Sequence, residues 1–342
     1  MNTSAGIPRA IALLLACLGV NALCVAQPGT PLRAGLIGLD TSHVPAFTRL
    51  FNNAAPGGDL AGIKIVAGYP GGTSLPASRD RVARFTEQIR ALGVEIVETI
   101  PALLQKVDVV LLESVDGRIH LAEAIPVIQA GKPLFIDKPV AGSLADAIVI
   151  YELARQRRVP CFSASGSRVS PALLKLRQNA EVGDIRGAAT WGPCSYSEGT
   201  PDMFFYGIHG IEALFTLMGP GCVTVARIQT PEADHVTGVW EDQRVGSYRG
   251  LRKNKQESGA VVYGTAGIAS AEKGGGGYEP LCRAIARFFK TGQAPVSPEE
   301  TLDLFAFMEA ADESKRRHGA PVSVGDVRKK AEAEAKVKLA QK

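Results

Sequence analysis

Apolar positions fall in two textures along this chain. From Arg33 to about residue 165, short apolar runs alternate with stretches in which apolar residues recur every three or four positions. The runs at 33–38, 63–68, 95–97, 107–113, 134–136 and 159–162 predict strands, and the one at 107–113 is apolar enough for a strand buried on both faces. Amphipathic spacing predicts helices over 45–53, 79–92, 100–106, 120–130 and 144–156. Gly131 stands where a helix stop is expected, and Ser143 with Asp146 reads as an N-cap and a first-turn acid. Strands separated by helices in this way imply a doubly wound parallel sheet.

Beyond Ser170 the texture changes. Helices are predicted at 171–179 and 206–218, among strand-like runs at 187–191, 223–229, 235–240, 245–249 and 260–263. Strands in series predict a largely antiparallel sheet, and helices at 279–291 and 298–318 close the pattern. The expected class is α/β: an N-terminal Rossmann-like, doubly wound parallel sheet over 32–165, then an α+β domain with a largely antiparallel sheet over 166–325. The Lys/Ala/Glu-rich stretch 328–342 has no aliphatic face apart from Val337 and Leu339, and reads as a charged tail, either a solvated helix or disorder.

Residues 1–26 read as an export signal. Arg9 supplies the charge, Ala10 to Val20 a short apolar core, and Cys24-Val25-Ala26 a small-residue site, with cleavage expected after Ala26. Asn21 interrupts the segment well short of the about 18 to 20 apolar residues of a span, so no stable membrane span is expected. Leu14-Leu15-Ala16-Cys17 resembles a lipoprotein box, but its apolar run is too short to make lipidation at Cys17 the first expectation. With a single arginine before the core, the chain lacks a twin-arginine signal; it is expected to reach the periplasm or the exterior unfolded, carrying no nucleotide.

The net charge of +4 over 342 residues is small and scattered, which argues against a nucleic-acid partner. Past the signal, Cys161, Cys194, Cys222 and Cys282 remain, with no CxxC and no cysteine–histidine spacing for zinc. Buried free thiols are the expectation.

Candidate chemistry gathers at predicted strand ends. Phe135-Ile136 delivers Asp137-Lys138-Pro139 to the carboxyl edge of its strand, where open parallel sheets bind ligands. The first strand ends in the glycine-marked turn Leu36-Ile37-Gly38-Leu39-Asp40, and the helix near 206–218 carries Gly207-Ile208-His209-Gly210-Ile211-Glu212. Histidine titrates in the range useful for taking a hydroxyl proton, and a nearby lysine lowers the cost of a developing alkoxide. Gly274 to Gly277 lacks a Walker ending, and no Gly-x-Ser-x-Gly elbow is present.

In the order and spacing of these motifs the chain resembles the Gfo/Idh/MocA oxidoreductases, NAD(P)-dependent sugar and cyclitol dehydrogenases, over about residues 32–325. Asp137-Lys138-Pro139 is similar to the family's acid-Lys-Pro motif, Gly207 to Glu212 to its Gly-x-His-x-x-acid helix, and Gly292 to Ser314 to its closing helix. The resemblance implies that Lys138 approaches both nicotinamide and substrate hydroxyl, and that His209 is the acid/base on that hydroxyl. It implies NAD or NADP, held by Gly38, Leu39, Asp40, Thr41, Ser42, Tyr69, Glu113 and Lys138. The implied substrate is a sugar or polyol, met by His43, Asp116, His120, Arg168, Asp202, Tyr206 and Glu212, and the open sheet face is implied to pair subunits.

The chain departs from the family's pattern in three motifs. Asp40 and His43 stand where the second and third turn glycines belong, and a carboxylate at close approach repels a pyrophosphate. The second strand ends Ala67-Gly68-Tyr69-Pro70-Gly71-Gly72, without the acid that takes the ribose hydroxyls. Phe205 replaces the acid four residues before His209, leaving Asp202 as the nearest upstream acid. A second expectation follows: an exported carbohydrate-binding protein with a degenerate, non-redox dinucleotide site. Asp40 with His43 across one turn is too slight a pairing to predict a metal.

Overall fold

Six strands, β1 (Leu32–Ile37), β2 (Ile63–Tyr69), β3 (Glu95–Ile96), β4 (Val109–Leu112), β5 (Leu134–Ile136) and β6 (Cys161–Ser163), form the first sheet of the computed structural model. Their order is β3-β2-β1-β4-β5-β6 and every pairing is parallel, the doubly wound sheet that the apolar pattern predicts. Chain order reverses between β1 and β4, which makes their carboxyl ends the topological switch point.

Side chains alternate across the strands and each face is roofed. Leu36, Leu111 and Phe135 pack with Phe47 and Phe51 of α1 (His43–Phe51) and Ile89 of α3 (Val82–Ala91). Ile37, Leu112 and Ile136 pack on the other side with Leu103 of α4 (Ile100–Leu104), Val127 of α5 (Gly117–Gln129) and Ile150 of α6 (Leu144–Arg157). Between β2 and α3 lies the single turn α2 (Pro76–Arg79). After β6 the chain turns through α7 (Pro171–Arg177) into the second sheet.

That sheet comprises β7 (Ile185–Pro193), β8 (Cys222–Gln229), β9 (Ala233–Trp240), β10 (Val245–Leu251), β11 (Gly259–Gly264), β12 (Ile268–Glu272) and β13 (Val322–Ser323) in the order β12-β11-β7-β10-β9-β8-β13. It is antiparallel except for the β7–β10 pair. Helices α8 (Ile208–Met218) and α10 (Pro298–Arg316) pack on it, while α9 (Tyr278–Thr291) returns to the first sheet with Leu281, Ile285 and Phe288 inward. The edge strands β12 and β13 escape the sequence reading because one is half-exposed and the other spans two residues.

Residues 328–342, read as a charged tail, belong largely to α11 (Val324–Leu339), which packs on α6 and α10. Within the stretch read as a tail its buried positions are alanines: Ala331 and Ala335 are buried, Leu339 packs beside them, and Lys338 pairs with Asp146. Cys161, Cys194, Cys222 and Cys282 are free and buried.

Beneath the second sheet, fully buried Arg227 is bound by three carboxylates: Asp202 Oδ2 at 2.8 Å, Asp234 Oδ1 at 2.8 Å and Asp312 Oδ1 at 2.5 Å. Tyr196 OH accepts from the same guanidinium at 2.7 Å.

The structure describes Met1 and residues 30–341, apart from 56, 74, 254–255 and 273–276, and Pro31–Lys342 form one compact unit. The leader read at 1–26, with Cys17, lies outside the described residues after Met1. No helix among the described residues is long and apolar enough to cross a membrane.

Candidate functional site

The turn after β1 is the first part of the switch point. Gly38 has φ +81°, and a Cβ there would fall 2.5 Å from the Ser114 backbone nitrogen, so only glycine lets this turn rest on the loop after β4. Its amide donates to the Tyr69 carbonyl at 3.0 Å, and that of Leu39 to the Pro70 carbonyl at 2.8 Å.

Asp40 is turned inward. Its carboxylate accepts from the Val115 amide at 3.2 Å and from the Ser78 hydroxyl, and burial raises its pKa. Gly71 sits so close to the β1 turn that a Cβ there would lie 3.4 Å from Gly38 Cα and 3.3 Å from Glu123 Oε1. Thr73 lies near Asp116 and helps lower its pKa. Residues 70–73 and 75–79 therefore lie beside the β1 turn and its Asp40, next to the place where a doubly wound sheet receives a pyrophosphate.

NAD or NADP does not fit this arrangement. The amides of Gly38 and Leu39 are taken by the Tyr69 and Pro70 carbonyls, the Asp40 carboxylate is buried on Ser78 and Val115, and β2 ends without an acid. Asp40 thus corrects the sequence reading: it holds Ser78 and the Val115 amide rather than facing an open anion site. Leu39 and Thr41 are buried in the same turn, and Tyr69 contributes its carbonyl.

Glu123 supports this closure and carries a pH signature. Its carboxylate accepts from Ser114 Oγ at 2.7 Å, and burial lifts its pKa to about 7. Because the folded state holds this proton more tightly than the unfolded chain, stability is greatest below the ordinary carboxylate pKa and falls as pH rises toward 7. Glu123→Gln is expected to gain up to about 3 kcal/mol over the parent at pH 8 and little at pH 4.5, read by urea denaturation across that range. Parallel curves for the two proteins would refute it.

The second part gathers at the ends of β4 and β5. Glu113 is fully buried and neither carboxylate oxygen has a hydrogen-bond partner. His43, the first residue of α1, brings Nδ1 to 2.8 Å from Asp137 Oδ2 and 3.8 Å from Glu113 Oε2. The His43–Asp137 approach is off the hydrogen-bond direction, which leaves Nδ1 unsatisfied despite the short distance. The Lys138 amide donates to Asp137 Oδ1 at 2.8 Å and fixes that carboxylate.

The His43 ring stacks on Phe47 and meets Tyr278 edge-on, both at 5.0 Å between centroids. Tyr278 OH lies 3.1 Å from the hydroxyl of Ser42. Burial lifts Glu113 well above the usual carboxylate range, with Asp137 and Asp40 adding to the rise. Burial opposes ionisation of Asp137 too, but His43 and Lys138 overcome it and hold its pKa low.

From the other side, a π-helical turn at Met203–Gly207 leads into α8 and presents Tyr206 and His209. Lys138 Nζ lies 5.8 Å from the centre of the Tyr206 ring, and Tyr206 and His209 are 5.9 Å apart between centroids. Burial and then the charge of Lys138 push the His209 pKa down to about 3. His209 is thus neutral at pH 7, a hydrogen-bonding group rather than a ready proton store.

Other expected ligand contacts lie elsewhere, in each case because the interior claims the side chain. Asp202 does not orient His209; it binds Arg227 and, at 2.6 Å, Lys315. Asp116 caps α5 through the Arg118 amide at 3.0 Å. His120 is fully buried, with Nε2 2.6 Å from the Ser114 carbonyl. Arg168 pairs with Glu300 at 2.9 Å, and Glu212 accepts from the Ser165 amide at 2.6 Å, with Arg168 and Glu212 both buried.

Of the expected residues, Glu113, His43, Lys138, Tyr206 and His209 form the cluster. Two further members carry no role in the sequence reading. Asp137 is visible in its motif beside Lys138, whereas Tyr278 comes from a distant helix start that carries no signal of its own.

A doubly wound domain, joined to a mixed sheet that supplies a histidine helix, is the class these elements define. Residues 73–165 match the profile of the Gfo/Idh/MocA oxidoreductase family, NAD-binding Rossmann fold. No curated protein matches the sequence.

Among solved structures, a probable dehydrogenase from Thermotoga maritima is 18% identical with a TM-score of 0.70, covering 86% of this chain and 100% of that one. Scyllo-inositol dehydrogenase from Lactobacillus casei with bound NAD(H) and scyllo-inositol is 16% identical, also at 0.70, over 86% of this chain and 100% of that one. GenD2 from gentamicin A biosynthesis, in complex with NAD, is 15% identical at 0.70 over 93% of this chain and 99% of that one. At these identities the likeness is one of fold.

Proposed function

We propose that this chain binds a small polyhydroxylated molecule, a sugar or polyol derivative, at the carboxyl edge of β4 and β5, without a dinucleotide in the switch-point crevice. The observation that carries this reading is the packing of Gly71 on Gly38 and of Ser78 on Asp40. Lys138 offers a positive charge to a ligand hydroxyl, neutral His209 holds a hydroxyl by hydrogen bonding, and the half-exposed Tyr206 ring gives the ligand an apolar face. The export signal read at 1–26 supports it, since an exported chain meets little nucleotide.

A second reading is an NAD(P)-dependent oxidoreductase acting on CH–OH groups. The family match over 73–165 and the NAD complexes that share the fold favour it. It requires Gly71 and Ser78 to leave the β1 turn.

Thermal-shift titration of the chain from Gln27 onward, against NAD, NADH, NADP, NADPH and a panel of inositols and sugars, separates the two. A ligand at a hundredfold excess over Kd stabilises the folded state by about 2.7 kcal/mol. The expected result is a shift with a polyol, weakened about tenfold or more in Lys138→Met and His209→Ala, and none with millimolar nucleotide. A nucleotide shift would overturn the proposal in favour of the oxidoreductase.

A further inference from the structure

We infer that His43, Glu113 and Asp137 form a binding site for one divalent transition-metal cation. Their donor atoms, one from each residue, all lie within 4.8 Å of one another. Donors held about 2.1 Å from a common ion stand about 3.0 Å apart in octahedral and about 3.4 Å apart in tetrahedral geometry. The 2.8 and 3.8 Å separations from His43 Nδ1 bracket those values, and the Glu113 and Asp137 oxygens, within 4.8 Å of each other, are brought to them by side-chain rotation.

An independent observation points the same way. Glu113 is fully buried with both oxygens unpartnered, and His43 Nδ1 also lacks a hydrogen bond. A buried carboxylate without a partner is costly, and a cation is the partner that satisfies all three groups together. The charge of Lys138 acts on both carboxylates, but its ammonium stands 5.8 Å from the Tyr206 ring centre and gives neither Glu113 oxygen a hydrogen bond.

One imidazole and two carboxylates suit Zn²⁺, Mn²⁺ or Fe²⁺ better than Mg²⁺ or Ca²⁺, which prefer all-oxygen sets. Three protein ligands leave coordination positions open. The site is held from below as well: the Lys138 amide orients Asp137, and Phe47 and Tyr278 fix the His43 ring.

The test uses the chain from Gln27 onward, stripped with chelator and titrated calorimetrically with Zn²⁺ and with Mn²⁺, without any sugar present. One equivalent is expected to bind with micromolar or tighter Kd. Glu113→Gln and His43→Phe are each expected to weaken it about 100-fold or more, while Asp242→Asn, a surface acid, leaves it unchanged. If the variants do not fold, Co²⁺ added to the parent protein reports directly, since nitrogen and oxygen ligation gives a characteristic visible spectrum. Absence of binding at millimolar metal, or binding that Glu113→Gln does not weaken, would overturn the site. Neither result depends on whether a polyol binds.

Discussion

Arg227→Met is expected to destabilise the folded chain by about 3 to 5 kcal/mol at pH 7, among the largest single-residue losses this fold should show. The guanidinium is fully buried and binds three carboxylates through three different nitrogens, so its removal strands Asp202, Asp234 and Asp312 around a methionine. Arg252 still reaches Asp234, and Lys315 still reaches Asp202, so the burden falls on Asp312. Burial already lifts that carboxyl to about 7 even beside Arg227. A carboxyl whose folded pKa is raised favours folding below its unfolded pKa and disfavours it increasingly as pH climbs toward the folded value. The variant should therefore lose least near pH 4 and most above pH 7. Arg227→Lys should recover only part of the loss, because an ammonium cannot span three carboxylates. Urea denaturation at several pH values reads all three effects, and a loss below about 1 kcal/mol at pH 7 would show that the cluster does not anchor the second sheet.

The parallel sheet was legible because its strands are apolar runs between amphipathic helices, a pattern that local periodicity carries by itself. Lys138 at a strand end and His209 on a helix were legible for the same reason: topology, not side-chain detail, puts strand ends in a crevice. The polar partners were not. Asp202, His120, Arg168 and Glu212 read in sequence as facing a ligand, yet each finds an interior partner supplied by a residue distant in sequence or by the backbone. No spacing rule encodes such a partner. The alanine stripe of α11 escapes notice because periodicity weighs large apolar residues, and Ala331 and Ala335 bury little area while allowing close helix contact.

The departures from the family's turn are the most informative part of the sequence, though for a different reason than charge repulsion. In sequence, Asp40 reads as a charge set against a pyrophosphate. In the fold it is a fastener, tying Ser78 and Val115 together across β1. The glycines at 71 and 72 have φ of +57° and +115°, which lets the chain after β2 turn back toward Gly38.

Gly38→Ala tests that closure and is expected to cost about 4 kcal/mol. Part of this is left-handed backbone strain at φ +81°, about 1 kcal/mol for alanine. The larger part is steric: the new Cβ would lie 2.2 Å from Ser114 Oγ, 2.5 Å from its nitrogen and 2.6 Å from its Cα. Ser114 has little freedom to yield, because its carbonyl meets His120 Nε2 at 2.6 Å and its hydroxyl is held by Glu123 at 2.7 Å. Overpacking of this kind costs about 1 to 3 kcal/mol where the neighbours can shift, and more where they cannot. Gly93→Ala is the control, since Gly93 has φ +83° and a Cβ added there would meet no atom within 4 Å, so it should show the strain alone. The difference between the two variants, read by urea denaturation, measures the contact between the β1 turn and the β4 loop. Equal losses would mean that the turn and loop stand apart, and a crevice open there would return the dinucleotide-dependent oxidoreductase to first place.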